Sequence, residues 1–160
     1  MLTEPTGTHL AQLAERAWER FGERSTLLFE GRRCSAGELG GLARRMAGGL
    51  HRAGVGAGEQ VVVCMANCPE VLAAYQALWR IGAVATPVLF LLSEQELHHV
   101  LVDSGAVLAM TTPEFAPKLA AAAGGTAVRL AVTGPAQPGW LSVADLCAGA
   151  EADLVRTDPS

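Results

Sequence analysis

From Val61 to Val132 the chain alternates short apolar runs with amphipathic stretches. The runs are Val61 to Met65, Ala83 to Val88, Val107 to Thr111 and Ala127 to Val132. Between them lie Pro69 to Arg80, Ser93 to Asp103 and Glu114 to Ala123, each with helical spacing of its apolar residues. Runs that are apolar at successive positions suit strands buried on both faces, and strands that alternate with helices form parallel sheets covered by those helices. The fold class expected is therefore α/β: three layers, a mostly parallel sheet flanked by helices.

The first 60 residues add an opening section. Thr8 is placed to cap a helix running to about Phe21, with Leu10, Leu13, Ala14, Ala17, Trp18 and Phe21 on one stripe. Thr26 to Phe29 and Arg32 to Cys34 flank Glu30-Gly31, which suits a small β-hairpin with the glycine at the positive backbone angle. Ser35 with Glu38 forms a capping box, in which the Ser hydroxyl and the Glu carboxylate each satisfy a backbone N–H at the helix start. The helix it opens carries Leu39, Leu42, Ala43, Met46 and Leu50 inward and stops at Gly54. Ser93 with Glu96 repeats the box, and Ser104-Gly105 ends that helix. After Val132, residues 133–139 read as a loop, Val143 to Ala148 as a short helix and residues 151–160 as a solvated tail.

Composition closes several classes of function. Half of the 160 residues are apolar and 18% are charged, enough apolar surface to offset the ordering entropy of a single domain. A net charge of -4, with Arg32-Arg33 and Arg44-Arg45 as the only basic doublets, leaves no stripe to track nucleic-acid phosphates. The longest nearly apolar stretch, Gly82 to Leu92, is far too short to span a bilayer. Residues 1–20 include Glu4, Glu15 and Glu19, unlike a secretory signal, so a cytoplasmic location is expected.

Each group that could carry chemistry also has a structural role to play. Gly54-Val55-Gly56-Ala57-Gly58 follows a helix and opens a strand, whereas phosphate-binding glycines follow a strand and open a helix; a cap and a turn explain it. His98 and His99 are adjacent, so on a helix they point about 100° apart and cannot share one ion. Cys34, Cys64, Cys68 and Cys147 fall at no metal-ligand spacing and read as free thiols. Ser104 and Cys68 lack a nucleophile elbow or a placed base, and Glu96 and Asp103, seven apart, read as a solvated helix face. On the residues alone, no catalytic, cofactor-binding or metal-binding site is assigned.

Three stretches in series nevertheless resemble the N-terminal part of the adenylate-forming (AMP-binding) ligase superfamily, most like acyl-CoA synthetases and fatty-acid–CoA ligases. They are Cys34 to Leu39; Gly58 to Glu70 continued by Ala74 to Pro87, with Asn67-Cys68-Pro69-Glu70 and Gly82-Ala83-Val84; and Leu92 to Leu97 continued to Asp103-Ser104-Gly105-Ala106. Ala36 stands where the family usually has an aromatic residue. The resemblance covers roughly residues 8–112 and implies the N-terminal subdomain of the acyl-CoA synthetase fold over residues 1–150, with residues 151–160 leading toward a nucleotide-binding loop absent from this sequence. It implies a parent enzyme that uses ATP and magnesium to convert a carboxylic acid to an acyl-adenylate and then passes the acyl group to a thiol, usually that of CoA. The remainder of the ligase is the implied partner, no cofactor is expected on this segment by itself, and no family catalytic residue transfers to it. A nonribosomal-peptide adenylation segment and a non-catalytic interaction module are the alternatives.

One departure falls inside the resemblance. Where the family often has Asn-Pro and then a polar or basic residue, this chain has Val88-Leu89-Phe90-Leu91-Leu92. That weakens the expectation of a CoA contact there and leaves an apolar strip in need of a covering surface, such as a second copy of the chain.

Overall fold

The computed structural model describes residues 9–153. It contains helix α1 (Leu10–Phe21), a hairpin of β1 (Ser25–Phe29) and β2 (Arg32–Ser35), and the long helix α2 (Ala36–Arg52). There follow β3 (Gln60–Cys64), α3 (Pro69–Arg80), β4 (Val84–Pro87), α4 (Glu94–Asp103) and β5 (Leu108–Thr111). A 3-10 turn at Pro113–Phe115 leads into α5 (Ala116–Ala122), and β6 (Arg129–Val132), β7 (Leu141–Ser142) and α6 (Val143–Leu146) complete the described chain.

Strands β3 to β7 form one five-stranded sheet in the order β4-β3-β5-β6-β7, every pair parallel, and the hairpin stands apart as a two-stranded antiparallel sheet. The α/β expectation with a parallel sheet and a small hairpin is thus what the chain adopts. Side-chain parity along the strands builds two cores. Val61, Val63, Leu108, Met110 and Ala131 meet α2, α3 and α6 on one face; Val62, Cys64, Ala109 and Leu130 meet α4 and α5 on the other. Because successive strand residues alternate faces, apolar residues at consecutive positions are needed for both layers.

Helix ends follow local chemistry. Both capping boxes form: the Ser35 hydroxyl accepts the Glu38 amide at 3.1 Å while Glu38 accepts the Ser35 amide at 2.7 Å, and Ser93 and Glu96 do the same at 3.3 and 2.8 Å. Pro69 sits in the first turn of α3, where its missing N–H costs nothing. Gly54, with φ 83°, ends α2 as expected of a left-handed cap. In the hairpin turn both central residues, Glu30 (φ 48°) and Gly31 (φ 78°), take positive angles, the geometry that matches the strand twist.

Three expectations change and one strand is added. Thr8 lies outside the described residues, and the cap of α1 is His9, whose Nδ1 accepts the Ala11 amide at 3.2 Å. The apolar stripe of α1 does not face inward: Ala11 is buried and Trp18 half-buried, but Leu10 is 52% and Leu13 48% exposed. The helix is turned so that Glu15 reaches Arg80 and Trp18 enters a notch at Gly40, where any Cβ would strike the indole. Leu141-Ser142, between the expected loop over 133–139 and the helix from Val143, pairs with Ala131-Val132 as a fifth strand too short to show a period. Within the expected tail, the Ala152 carbonyl and amide are both hydrogen-bonded and the residue is half-buried, so the tail is attached as far as that residue.

Candidate functional site

In doubly wound sheets the strand order reverses at one place, and a crevice for ligands opens outside the carboxyl ends of the two strands there. Here the chain runs from β3 out to β4 and returns to β5 on the other side of β3, so the reversal lies between β3 and β5. The residues leaving those strands are Met65-Ala66-Asn67-Cys68 and Thr112-Pro113-Glu114.

These two ends are tied to each other. The Thr111 hydroxyl donates to the Cys64 carbonyl at 2.7 Å, and the Ala66 amide donates to the Thr112 hydroxyl at 3.1 Å. Both threonines are buried. Beside them, Phe90 and Phe115 stack with centroids 4.8 Å apart, and Lys118 Nζ donates to the carbonyls of Phe90 at 2.6 Å and Leu92 at 3.0 Å. The strip Val88 to Leu92 is therefore pinned through its backbone and Phe90, while Leu89 is 67% and Leu91 77% exposed.

Helix α3 opens beside this edge with Cys68 as its N-cap, and the cysteine side chain makes no capping hydrogen bond. Burial, and next to it the Glu70 carboxylate, push the Cys68 thiol up to about 11 against the partial opposition of the Val71 amide. Burial also raises the thiols of Cys64, opposed by Lys118, and of Cys147, opposed by Arg45. A nucleophilic cysteine needs the reverse shift, since the thiolate is the reactive form.

The other groups weighed from the sequence are scattered. Gly54 to Gly58 lies ahead of β3, at the amino edge of the sheet, with the Gly58 amide on the Gly82 carbonyl and the Gly56 amide on Glu59. His98 and His99 are both exposed, and His98 Nδ1 is 2.7 Å from the Ala122 carbonyl. Ser104 closes α4 by donating to the Leu101 carbonyl at 3.5 Å. Glu96 is occupied by its capping box, and the Ser93 amide and then the Ser93 hydroxyl hold its carboxyl below the ordinary value. Asp103 is exposed at the far end of the same helix. An open depression of about 690 Å³, lined in part by Glu59, His98, Gly105, Thr126 and Arg129, also sits at the amino edge, opposite the strand reversal.

Among the described residues there is no group of three or more His, Cys, Asp or Glu that could hold a metal ion. The glycine cluster is at the wrong edge for a nucleotide at the strand reversal, and the hydroxyls of Thr111 and Thr112 there are bonded within the protein. The residues present do not fit ATP or its magnesium, and no step is derived through either. The residues that reading by spacing passed over are Thr111, Thr112, Lys118 and Arg80. Thr111 reads as a strand end and Thr112 carries no local signal, while the two cations show their partners only once distant segments are brought together.

Comparison with known proteins places this geometry. The model of the family described as AMP-binding enzyme matches residues 14–153. A feruloyl-CoA synthase from an Amycolatopsis species is 41% identical over 93 residues, which is 58% of this chain and 19% of that enzyme. A 3-hydroxybenzoate–CoA ligase from Aromatoleum is 32% identical over 126 residues, 78% of this chain and 24% of that enzyme. The crystal structure of a benzoate CoA ligase from Burkholderia xenovorans superimposes with a TM-score of 0.85 over 94% of this chain and 30% of that one, at 21% identity, a likeness of fold. The chain thus spans about a fifth to a quarter of the length of the curated relatives it matches.

Proposed function

This chain belongs to the AMP-binding enzyme family, and we propose that it is the N-terminal segment of an ATP-dependent carboxylate–CoA ligase, an acyl-CoA synthetase, that is inactive by itself. The observation that carries the reading is the five-stranded parallel sheet in the order β4-β3-β5-β6-β7, found together with a family match over residues 14–153. The relatives' names support the acid–thiol ligase class: feruloyl, 3-hydroxybenzoyl and benzoyl groups are all carried by carboxylates.

Formation of an acyl-adenylate places negative charge on phosphoryl oxygens, which a ligase must meet with positioned cations and donors. The strand reversal of this chain offers two hydroxyls already bonded within the protein, and Lys118 is engaged by two carbonyls. What the segment supplies under this reading is a rigid wall: sheet, flanking helices and a pinned apolar ledge against which the rest of the ligase is built.

Two measurements test this. The 160-residue chain should show no carboxylate-dependent ATP–pyrophosphate exchange above a no-protein blank; exchange above it would overturn the inactivity. A chimera with residues 14–153 in place of the matching segment of the Amycolatopsis feruloyl-CoA synthase should form a CoA thioester in an ATP-dependent way. A chimera that folds but forms neither adenylate nor thioester would count against the ligase reading.

A second reading, a free-standing interaction module, is favoured by the ledge. Leu89 and Leu91 project from a backbone that Lys118 holds still, so their exposure is built in. Under that reading the purified chain elutes from gel filtration as a dimer and Leu89→Ser with Leu91→Ser makes it monomeric; a monomer from the outset removes it.

A further inference from the structure

The guanidinium of Arg80, at the end of α3, is the one charged side chain in the buried class among the described residues. It joins two segments far apart in sequence: Nε donates to the Ala152 carbonyl at 2.6 Å, and one terminal nitrogen pairs with Glu15 Oε1 on α1. Arg44 of α2 repeats the arrangement from the other side. Its Nε donates to Glu151 Oε2 at 3.1 Å, its guanidinium lies 3.9 Å from Glu15 Oε2, and its carbonyl accepts the Ala152 amide at 3.3 Å. Each oxygen of the Glu15 carboxylate thus faces an arginine that also grips residues 151–152.

The surface under that C-terminal segment is cut to fit it. Gly48 and Gly49 of α2 leave room for the carbonyls of Ala150 and Leu146; a methyl group at either glycine would overlap the oxygen. Arg52, one turn on, donates to the Ala150 carbonyl at 2.9 Å. Main-chain carbonyls of Leu146, Ala150 and Ala152 recur as the acceptors, with the Glu151 carboxylate as the one side-chain acceptor, so the seat recognises chiefly a backbone path through residues 146–152.

We propose that α1 and residues 150–153 form one cooperative unit latched through Glu15, Arg80 and Arg44, so that releasing either one loosens the other. The physical ground is the burial of Arg80. If Glu15 loses its charge, Arg80 keeps a poorly solvated cation with one partner removed, and a buried cation left short of partners relaxes toward water. That relaxation withdraws Nε from Ala152. Arg44, freed from the same carboxylate, is no longer held at its second anchor beside Glu151. Glu15 makes no hydrogen bond or ion pair with residues 150–153, so its polar link to them runs through the two arginines.

Native-state amide exchange on the 160-residue chain tests the latch, with Glu15→Gln compared against Glu19→Gln, an exposed position on the same helix. In Glu15→Gln the Ala152 amide should exchange roughly tenfold faster or more, while amides of β3 and β5 keep their rates. Glu19→Gln should leave Ala152 at its parental rate. Arg80→Lys, which keeps the charge but cannot fork to two partners, should resemble Glu15→Gln. Unchanged exchange at Ala152 in Glu15→Gln overturns the proposal. So does acceleration that is equal in Glu19→Gln or that extends uniformly into the sheet, since either reports general loss of stability in place of a link.

Discussion

The Thr112 hydroxyl accepts the Ala66 amide at 3.1 Å and so binds the segment leaving β5 to the segment leaving β3, across the place where the sheet order reverses. Thr112 is buried and Ala66 half-buried. Replacing Thr112 by Val keeps the side-chain shape but strands the amide without an acceptor, at a cost of about 1–3 kcal/mol. Thr112→Ser should recover most of it. Urea unfolding of the three proteins checks this, with the midpoint order parent, Ser variant, Val variant expected; a Val variant as stable as the parent would show that water satisfies Ala66.

Gly49 faces the Leu146 carbonyl at the point where α6 crosses α2. Gly49→Ala would raise helix propensity, which by itself stabilises by up to about 1 kcal/mol. The clash opposes it, because the neighbour it would strike is the Leu146 backbone and the Arg52 contacts to Leu146 and Ala150 hold the segment down. Overpacking of this kind costs about 1–3 kcal/mol, so net destabilisation is expected. Gly41→Ala is the control: its Cβ would meet only the end of the Arg45 side chain, so this substitution should be neutral or stabilising. Thermal melts in which both variants shift upward would show that the C-terminal segment yields.

How much of this could be read from the residues depends on the range of the interactions. The capping boxes at Ser35-Glu38 and Ser93-Glu96 are complete within four residues, and the apolar runs around Val62, Ala85, Ala109 and Leu130 announce a parallel sheet, although the run at Ala85 is the edge strand β4 and is only half-buried where burial on both faces is expected; these were legible. The turn of α1 was not. Its own apolar stripe favours burying Leu10 and Leu13, and the helix instead presents Glu15 to an arginine 65 residues away. β7 is two residues long and is defined by its neighbour β6, so no internal signal existed to find it. At the strand reversal, Thr111 and Thr112 acquire their meaning from Cys64 and Ala66, 47 and 46 residues earlier in the chain. The family resemblance, by contrast, rested on local series such as Asn67 to Glu70 and Gly82 to Pro87, which is why it could precede any knowledge of contacts.

The Glu96 carboxyl links stability to pH. Its folded value lies below the ordinary 4.5 because the Ser93 amide, and after it the Ser93 hydroxyl, favour the charged form. The unfolded chain therefore takes up a proton before the folded one does. The contribution is fully present above about pH 4.5 and is lost as pH falls through the depressed folded value. Ser93→Ala removes the hydroxyl from this arrangement, so its stability deficit should be larger at pH 7 than at pH 3. Urea midpoints at the two pH values decide, and a deficit that grows on acidification would reverse the sign.

Cys68 offers a chemical readout of the same folded state. Its thiol is raised from 9.0 to about 11, chiefly by burial and then by the Glu70 charge. Two pH units of separation leave the thiolate about a hundredfold scarcer at pH 8 in the folded chain than in the unfolded one, and alkylation proceeds through the thiolate. Iodoacetamide at pH 8 should thus label Cys68 roughly tenfold more slowly, or slower still, in buffer than in urea, since the scarcer thiolate of a weaker acid is also the better nucleophile. Glu70→Gln should recover part of the native rate by removing the neighbouring negative charge, with most of the suppression remaining because burial is its larger cause. Mass-spectrometric tracking of the peptide containing Cys68 measures both effects. Equal rates in buffer and urea would mean that the start of α3 opens far more readily than the packing of Cys68 and Val71 against the core implies.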